Sequence, residues 1–289
     1  MLKHLNLLRK RFPNEANTLY SIKHLRKQIE RLPLESFFEP KSLFDLSESK
    51  PILIAVGLDD LNAWRHHVVD GCIVRLTCLE DAIFIALVNK HLTAAMVLTR
   101  AHMEVAGLSA YITNALFSNT LSNDLDRLTK LVQKTYFGSS MRIQAKRTPK
   151  LNDILMEETY PLKPTDLIKA MDRFAMPDDL TYTHYQLIYG LLCEFAHPAM
   201  RATKQYAKAR RSGIEGWRIR YYRTETLNRA SLHMACDILL NNMRVGYACC
   251  KLLRCSNIEL TPGGDFVLSG TSVAQFTEIW KDILQQPLP

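Results

Sequence analysis

Long apolar runs are missing from this 289-residue chain; the longest, Ala82 to Val88, falls far short of the roughly 18 residues a membrane span needs. No secretory signal is expected either. Met1 to Phe12 alternates leucines with Lys3, Arg9, Lys10 and Arg11 and contains no apolar run of seven. It reads as a short amphipathic helix. A mitochondrial presequence is the second choice, because serine is scarce and Glu15 follows soon. Glycine and proline are few, at 11 and 12, which excludes collagen-like and low-complexity classes. Seven cysteines (72, 78, 193, 236, 249, 250 and 255) form no CxxC, so they read as reduced thiols of a cytoplasmic protein. Also absent are a Gly-rich phosphate loop, GxSxG, HExxH and zinc-finger spacing. No cofactor is expected.

What is present fits a globular core: 47% of residues are hydrophobic and 23% charged. The formal charge of +8 is unevenly spread. Residues 1–31 carry eight Lys/Arg and two acids, residues 32–60 two lysines and six acids, and residues 201–229 nine Lys/Arg and two acids. Two basic segments thus flank an acidic one, and basic segments attract polyanions at long range.

Periodicity is helical nearly throughout. Two helices broken at Pro13-Asn14 are expected in the first thirty residues, the second carrying Leu19, Ile22, Leu25, Ile29 and Leu32 at spacings of three and four. A linker with Pro33, Pro40 and Pro51 follows, in which Pro51 to Gly57 is a short strand or one helical turn. Asp59 or Asp60 is the expected cap of the next helix, and Gly71 allows a bend. Cys72 to Lys90 and Leu92 to Phe117 read as a long antiparallel pair at the centre of the core. Further helices are expected over Asn123 to Phe137, Asn152 to Tyr160, Thr165 (as N-cap) to Phe174, 181–197 (stopped by Pro198), 199–209, Thr224 or Thr226 to about Arg254, and Val273 to Leu284. Ile214 to Tyr222 is the strand or hairpin candidate, and Thr261 to Asp265 a turn. The expected fold is all-α, with an N-terminal helical extension and linker (1–58), a main bundle (59–289), and a small β-ribbon near 214–222.

Two words stand out. Leu98-Thr-Arg-Ala-His-Met-Glu-Val105 puts Arg100 and Glu104 four apart on one helix face, and Tyr185-x3-Tyr189-x-Leu-Leu-Cys-Glu-Phe-Ala-His-Pro198 puts Glu194 and His197 three apart. Ionisable groups in such apolar helices need partners, which points to Arg100 with Glu104 or Glu194 and to His197 with a carboxylate. A metal site from Glu104, Glu194, His197 and His102 is a minor alternative, because a second Glu-x-x-His is missing. His66-His67 reads as a surface or interface pair.

These words, over roughly residues 60–255, resemble a group of bacterial helical proteins set beside the HEPN superfamily. The resemblance implies an up-and-down helical bundle, often dimeric, with an RNA-directed role of defence or toxin type. Ribonuclease members carry an arginine with four to six residues between it and a histidine. Before His197 the matching positions are Gly190, Leu191 and Leu192, and Arg229-x3-His233 is one residue short. The usual ribonuclease site is thus absent or rebuilt. Metal-independent cleavage would cast His197 as base, tuned by Glu194 or Glu104, and Arg100 as the cation beside the phosphate. The alternative is a non-catalytic interaction or sensor module, in which the cluster only fixes helix register.

A basic run follows His197. Arg201, Lys204, Lys208, Arg210, Arg211, Arg218, Arg220 and Arg223 are interleaved with Tyr206, Trp217, Tyr221 and Tyr222. Cations for phosphates and aromatics for stacking suit single-stranded nucleic acid. RNA or another polyanion, a second copy of the chain and a protein partner are the expected partners.

Overall fold

A computed structural model describes residues 2–32, 58–121, 131, 135, 162–176, 179, 181–197, 206–211, 217–221, 227–260, 262 and 266–269. Seven helices account for most of them: α1 (Leu2–Arg11), α2 (Ala16–Ile29), α3 (Leu58–Val88), α4 (Leu92–Leu121), α5 (Pro164–Ala175), α6 (His184–Ala196) and α7 (Arg229–Cys255). Two antiparallel ribbons complete the set. One pairs β1 (Ala207–Arg211) with β2 (Trp217–Tyr221), and the other pairs β3 (Asn257–Leu260) with β4 (Phe266–Ser269). The fold is an all-α bundle with small β-ribbons, as its periodicity predicts. None of the described helices is long and apolar enough to cross a membrane.

α4 is the hub, packing against α3, α5, α6 and α7. Its sequence explains this position. Ala95, Met96, Met103, Ala106 and Ala110 are fully buried, so its apolar surface faces several neighbours rather than one. Small residues set the closest approaches. A Cβ on Gly107 would lie 2.9 Å from the Leu167 carbonyl oxygen of α5, and one on Gly246 of α7 would lie 3.1 Å from the Ala106 Cβ. The α3–α4 turn closes through Lys90, in left-handed conformation at φ 63°, with His91 N–H donating to the Ala86 carbonyl at 2.8 Å. That is the six-to-one bond of a Schellman stop, built here on a lysine instead of glycine.

α1 and α2 share the main core. Leu5, Leu8, Leu19, Ile22, Leu25 and Ile29 are buried in the same cluster as α3 and α7 residues. A 3-10 turn, Pro13–Glu15, separates the two helices, where the proline was expected to break them.

Several boundaries differ from expectation. α3 is one continuous helix through Gly71, because nothing at that exposed position forces a bend. It starts at Leu58, which places Asp59 and Asp60 in the first turn instead of at the cap. α5 begins at Pro164 with Lys163 before it, so Thr165 is inside the helix. The cap of α7 is Asn228, whose side chain accepts from Ser231 N–H at 2.8 Å; neither Thr224 nor Thr226 has that role. Residues 207–209, expected to be helical, belong to β1. The turn near Thr261 lies between β3 and β4, two strands the periodicity did not suggest. The expectations for Pro51 to Gly57, Asn152 to Tyr160, Val273 to Leu284 and most of Asn123 to Phe137 lie outside the described residues.

The second ribbon is fastened to α3 by polar contacts. Asn62 donates to the Ile258 carbonyl and accepts from the Ile258 N–H, both at 2.9 Å, imitating a neighbouring strand. Arg65, fully buried, donates to the Leu253 carbonyl in the last turn of α7 and to Asn257 Oδ1 at 2.9 Å. Its guanidinium also reaches His66 Nε2 at 2.9 Å, so His66 has an intramolecular partner. Burial, reinforced by nearby Arg254, pulls the Arg65 pKa down to about 10.

Candidate functional site

The central expectation was one cluster of Arg100, Glu104, Glu194 and His197. Arg100 and Glu104 meet on α4, with Nε 3.2 Å from Glu104 Oε1. Tyr189 of α6 completes that set. Its hydroxyl accepts from Arg100 Nε at 3.2 Å and Nη2 at 3.0 Å, and donates to Glu104 Oε1 at 2.8 Å. The guanidinium carbon lies 5.1 Å from the centre of the Tyr189 ring, a cation–π distance. Partial burial alone would lower the Arg100 pKa, but the bond to Tyr189 and the Glu104 charge carry it upward. Burial and the bond to Glu104 push the Tyr189 phenol up to about 12. One cation, one anion and one neutral hydroxyl satisfy one another and join α4 to α6.

Glu194 lies five positions beyond Tyr189 on α6, and His197 caps the end of that helix. Eight steps of roughly 1.5 Å put His197 about 12 Å along the axis from Tyr189. The Glu194 and His197 side chains are exposed, and among the described residues the His197 ring takes no hydrogen bond. His197 follows the last turn of α6, its N–H donating to the Cys193 carbonyl at 3.0 Å. A cavity of 230 Å³ lies between α2 and α7, lined in part by Ile29, Arg31, Tyr247 and Lys251. None of the four expected residues borders it.

His102 lies on the far side of α4 from Glu104, in a network that the sequence reading missed. Glu80 of α3, with no exposed surface, accepts from Arg26 Nη1 of α2 at 2.8 Å and from His102 Nε2 at 3.2 Å. The Tyr247 hydroxyl of α7 also donates to it. Four helices therefore converge on one carboxylate. The signal was in the sequence: Leu76, Glu80, Ile83 and Leu87 recur at spacings of four and three, all fully buried. A carboxylate on a core stripe demands donors from its neighbours.

Arg229 and His233 are held by the N-terminal segment. Arg229 Nε lies 3.0 Å from Glu15 Oε1, His233 Nδ1 2.6 Å from Glu15 Oε2, and His233 Nε2 2.9 Å from Asp237. The pair expected to echo a ribonuclease motif is thus bound up with two carboxylates.

Part of the basic run lies on the first ribbon. β1 and β2 pair in a fixed register: Ala207 opposite Tyr221, Lys208 opposite Arg220, Ala209 opposite Ile219, Arg210 opposite Arg218 and Arg211 opposite Trp217. Opposed residues share a face of a ribbon, and so do residues two apart. Lys208, Arg210, Arg218 and Arg220 therefore share one face. Ala207, Ala209, Arg211, Trp217, Ile219 and Tyr221 share the other. Arg201, Lys204 and Arg223 lie outside the described residues.

No family model matches the chain, and neither a curated protein nor a solved structure matches it.

Proposed function

We propose that this protein binds RNA through the cationic face of the β1–β2 ribbon and does not cleave it. The observation that carries the reading is the pairing register, which opposes Lys208 to Arg220 and Arg210 to Arg218. Like charges directly opposite one another weaken a ribbon, so four cations on one face are a cost unless an anion meets them. A phosphate backbone is such an anion, and its contacts are sequence-independent. RNA is the class that the HEPN resemblance suggests. The Arg100–Glu104–Tyr189 set supports the non-catalytic half: its members neutralise one another and hold α4 to α6, in keeping with an interaction or sensor module.

The test is fluorescence anisotropy with a labelled, mixed-structure RNA in EDTA, comparing wild type with Arg210→Glu/Arg218→Glu. The reading expects binding by wild type, loss in the variant and intact RNA throughout. Unchanged binding by the variant would refute it.

A second reading, a metal-independent ribonuclease, draws on His197. Its exposed ring has no partner among the described residues, and β1 begins only ten residues later. That reading expects the same RNA to be degraded by wild type and spared by His197→Ala.

A further inference from the structure

We infer that the ribbon contacts the backbone of double-stranded RNA, not an extended single strand. The inference rests on the RNA-binding reading above and adds the form of the ligand. Binders of single strands alternate cations with aromatics along one surface, so that bases stack beside the neutralised phosphates. The sequence interleaves Trp217 and Tyr221 with arginines in that manner, but the ribbon leaves only Arg211 on their face. Trp217 and Tyr221 fall at register positions opposite Arg211 and Ala207, on the face that lacks the cationic quartet.

The quartet also has the wrong shape for a single strand. Residues two apart on a strand are about 6.8 Å apart, and directly opposed residues about 5 Å apart. Lys208, Arg210, Arg218 and Arg220 thus form a compact quadrilateral, not a track. One extended strand would offer phosphates to one edge of it. A duplex carries about one charge per 1.7 Å of axis from its two strands, enough for both edges together. In RNA duplexes the deep, narrow major groove is closed to side chains, and recognition proceeds by shape and phosphate contacts. A compact cationic face that meets phosphates suits that mode.

If all four cations meet phosphates, duplex affinity falls about 150-fold between 50 and 200 mM salt, from a slope of about −0.9 per neutralised phosphate. The test measures binding of the full chain to a blunt 20-base-pair RNA and to an unstructured 20-nucleotide RNA in EDTA. Wild type is compared with Lys208→Gln/Arg220→Gln, which relieves like-charge opposition and leaves the ribbon free to form. The expected result is tighter binding to the duplex by tenfold or more, with the variant's salt slope shallower by about 1.8. Equal or tighter binding to the single strand, with both ligands weakened in the variant, would overturn the duplex inference and leave the RNA-binding reading standing. No binding to either RNA, or binding indifferent to the substitutions, would overturn both.

Discussion

Tyr247 on α7 donates its hydroxyl hydrogen to Glu80 on α3, and neither group has more than 2% of its surface exposed. The contact belongs to a four-helix junction in which Arg26 and His102 approach the same carboxylate. Its consequence is thermodynamic. Removing the carboxylate as Glu80→Ala leaves the buried His102 imidazole and Tyr247 hydroxyl without their shared acceptor, at a cost of about 1–3 kcal/mol each, while Arg26 keeps Glu30 and the Thr77 carbonyl. Tyr247→Phe removes one donor from an acceptor that keeps two others, so its cost is about 1–3 kcal/mol. Urea midpoints at constant slope measure both, and the account expects this order. The reverse order would show that Glu80 is not the organising group.

A second junction is sensitive to pH. The His233 pKa is raised, chiefly by its bond to Glu15 and then by the Asp237 charge. Its contribution is therefore complete below its ordinary value of 6.5 and fades as pH climbs through the higher folded value. Burial pushes Glu15 up, but the bonds from His233 and Arg229 bring it below its ordinary 4.5, so its share is present above 4.5 and fades on acidification. Both are in force between about 4.5 and 6.5. With the His233 side chain 55% exposed, the gain is at most about 1 kcal/mol. Melting temperatures across pH 5 to 9 are expected to decline less above neutrality in His233→Asn than in wild type. Parallel curves would count against the bridge.

Two glycines in long helices are expected to behave oppositely. Gly71 of α3 is exposed, with no atom within 4 Å of an added Cβ, so Gly71→Ala stabilises by about 0.5–1 kcal/mol. Gly107 of α4 lies against α5 backbone at 2.9 Å, and Gly107→Ala costs about 1–3 kcal/mol by forcing those helices apart. Thermal denaturation of the two single variants is sufficient. Equal shifts would mean that α4 and α5 do not pack this closely.

Arg100→Ala separates structural from functional roles. It deletes two hydrogen bonds to Tyr189 and one to Glu104, in a set about a quarter to a third exposed. A loss of about 1–2 kcal/mol is expected. RNA affinity of the folded variant is expected to match wild type, because the ribbon is unaltered. A large drop in affinity at unchanged stability would place Arg100 on the RNA surface instead.

Where the sequence was legible, one local signal dominated. Pro198 marked the end of α6, the three-four spacing of Leu19 to Ile29 marked the buried face of α2, and a long stretch almost free of helix breakers marked α7. Where it was not, the deciding partner lay elsewhere in the chain. Ala207 to Ala209 are good helix formers, and only pairing with β2 makes them a strand. Asn257 to Leu260 is short, and its place depends on Asn62, nearly two hundred residues earlier. The same limit applies to the candidate site. Arg100 and Glu104 share a helix face by spacing, but their partner on α6 is Tyr189, and which turn of α6 meets α4 is not a local property. Tyr189 stood within the motif and was not recognised as their partner, because nothing local distinguishes it from a core tyrosine.

The most direct test of the account is anisotropy of a labelled structured RNA in EDTA, with the RNA resolved on a gel afterwards. Wild type is predicted to bind and leave the RNA intact, and Arg210→Glu/Arg218→Glu to lose binding while melting as wild type does. Equal binding by both proteins, or RNA cleaved by wild type and spared by His197→Ala, would contradict it.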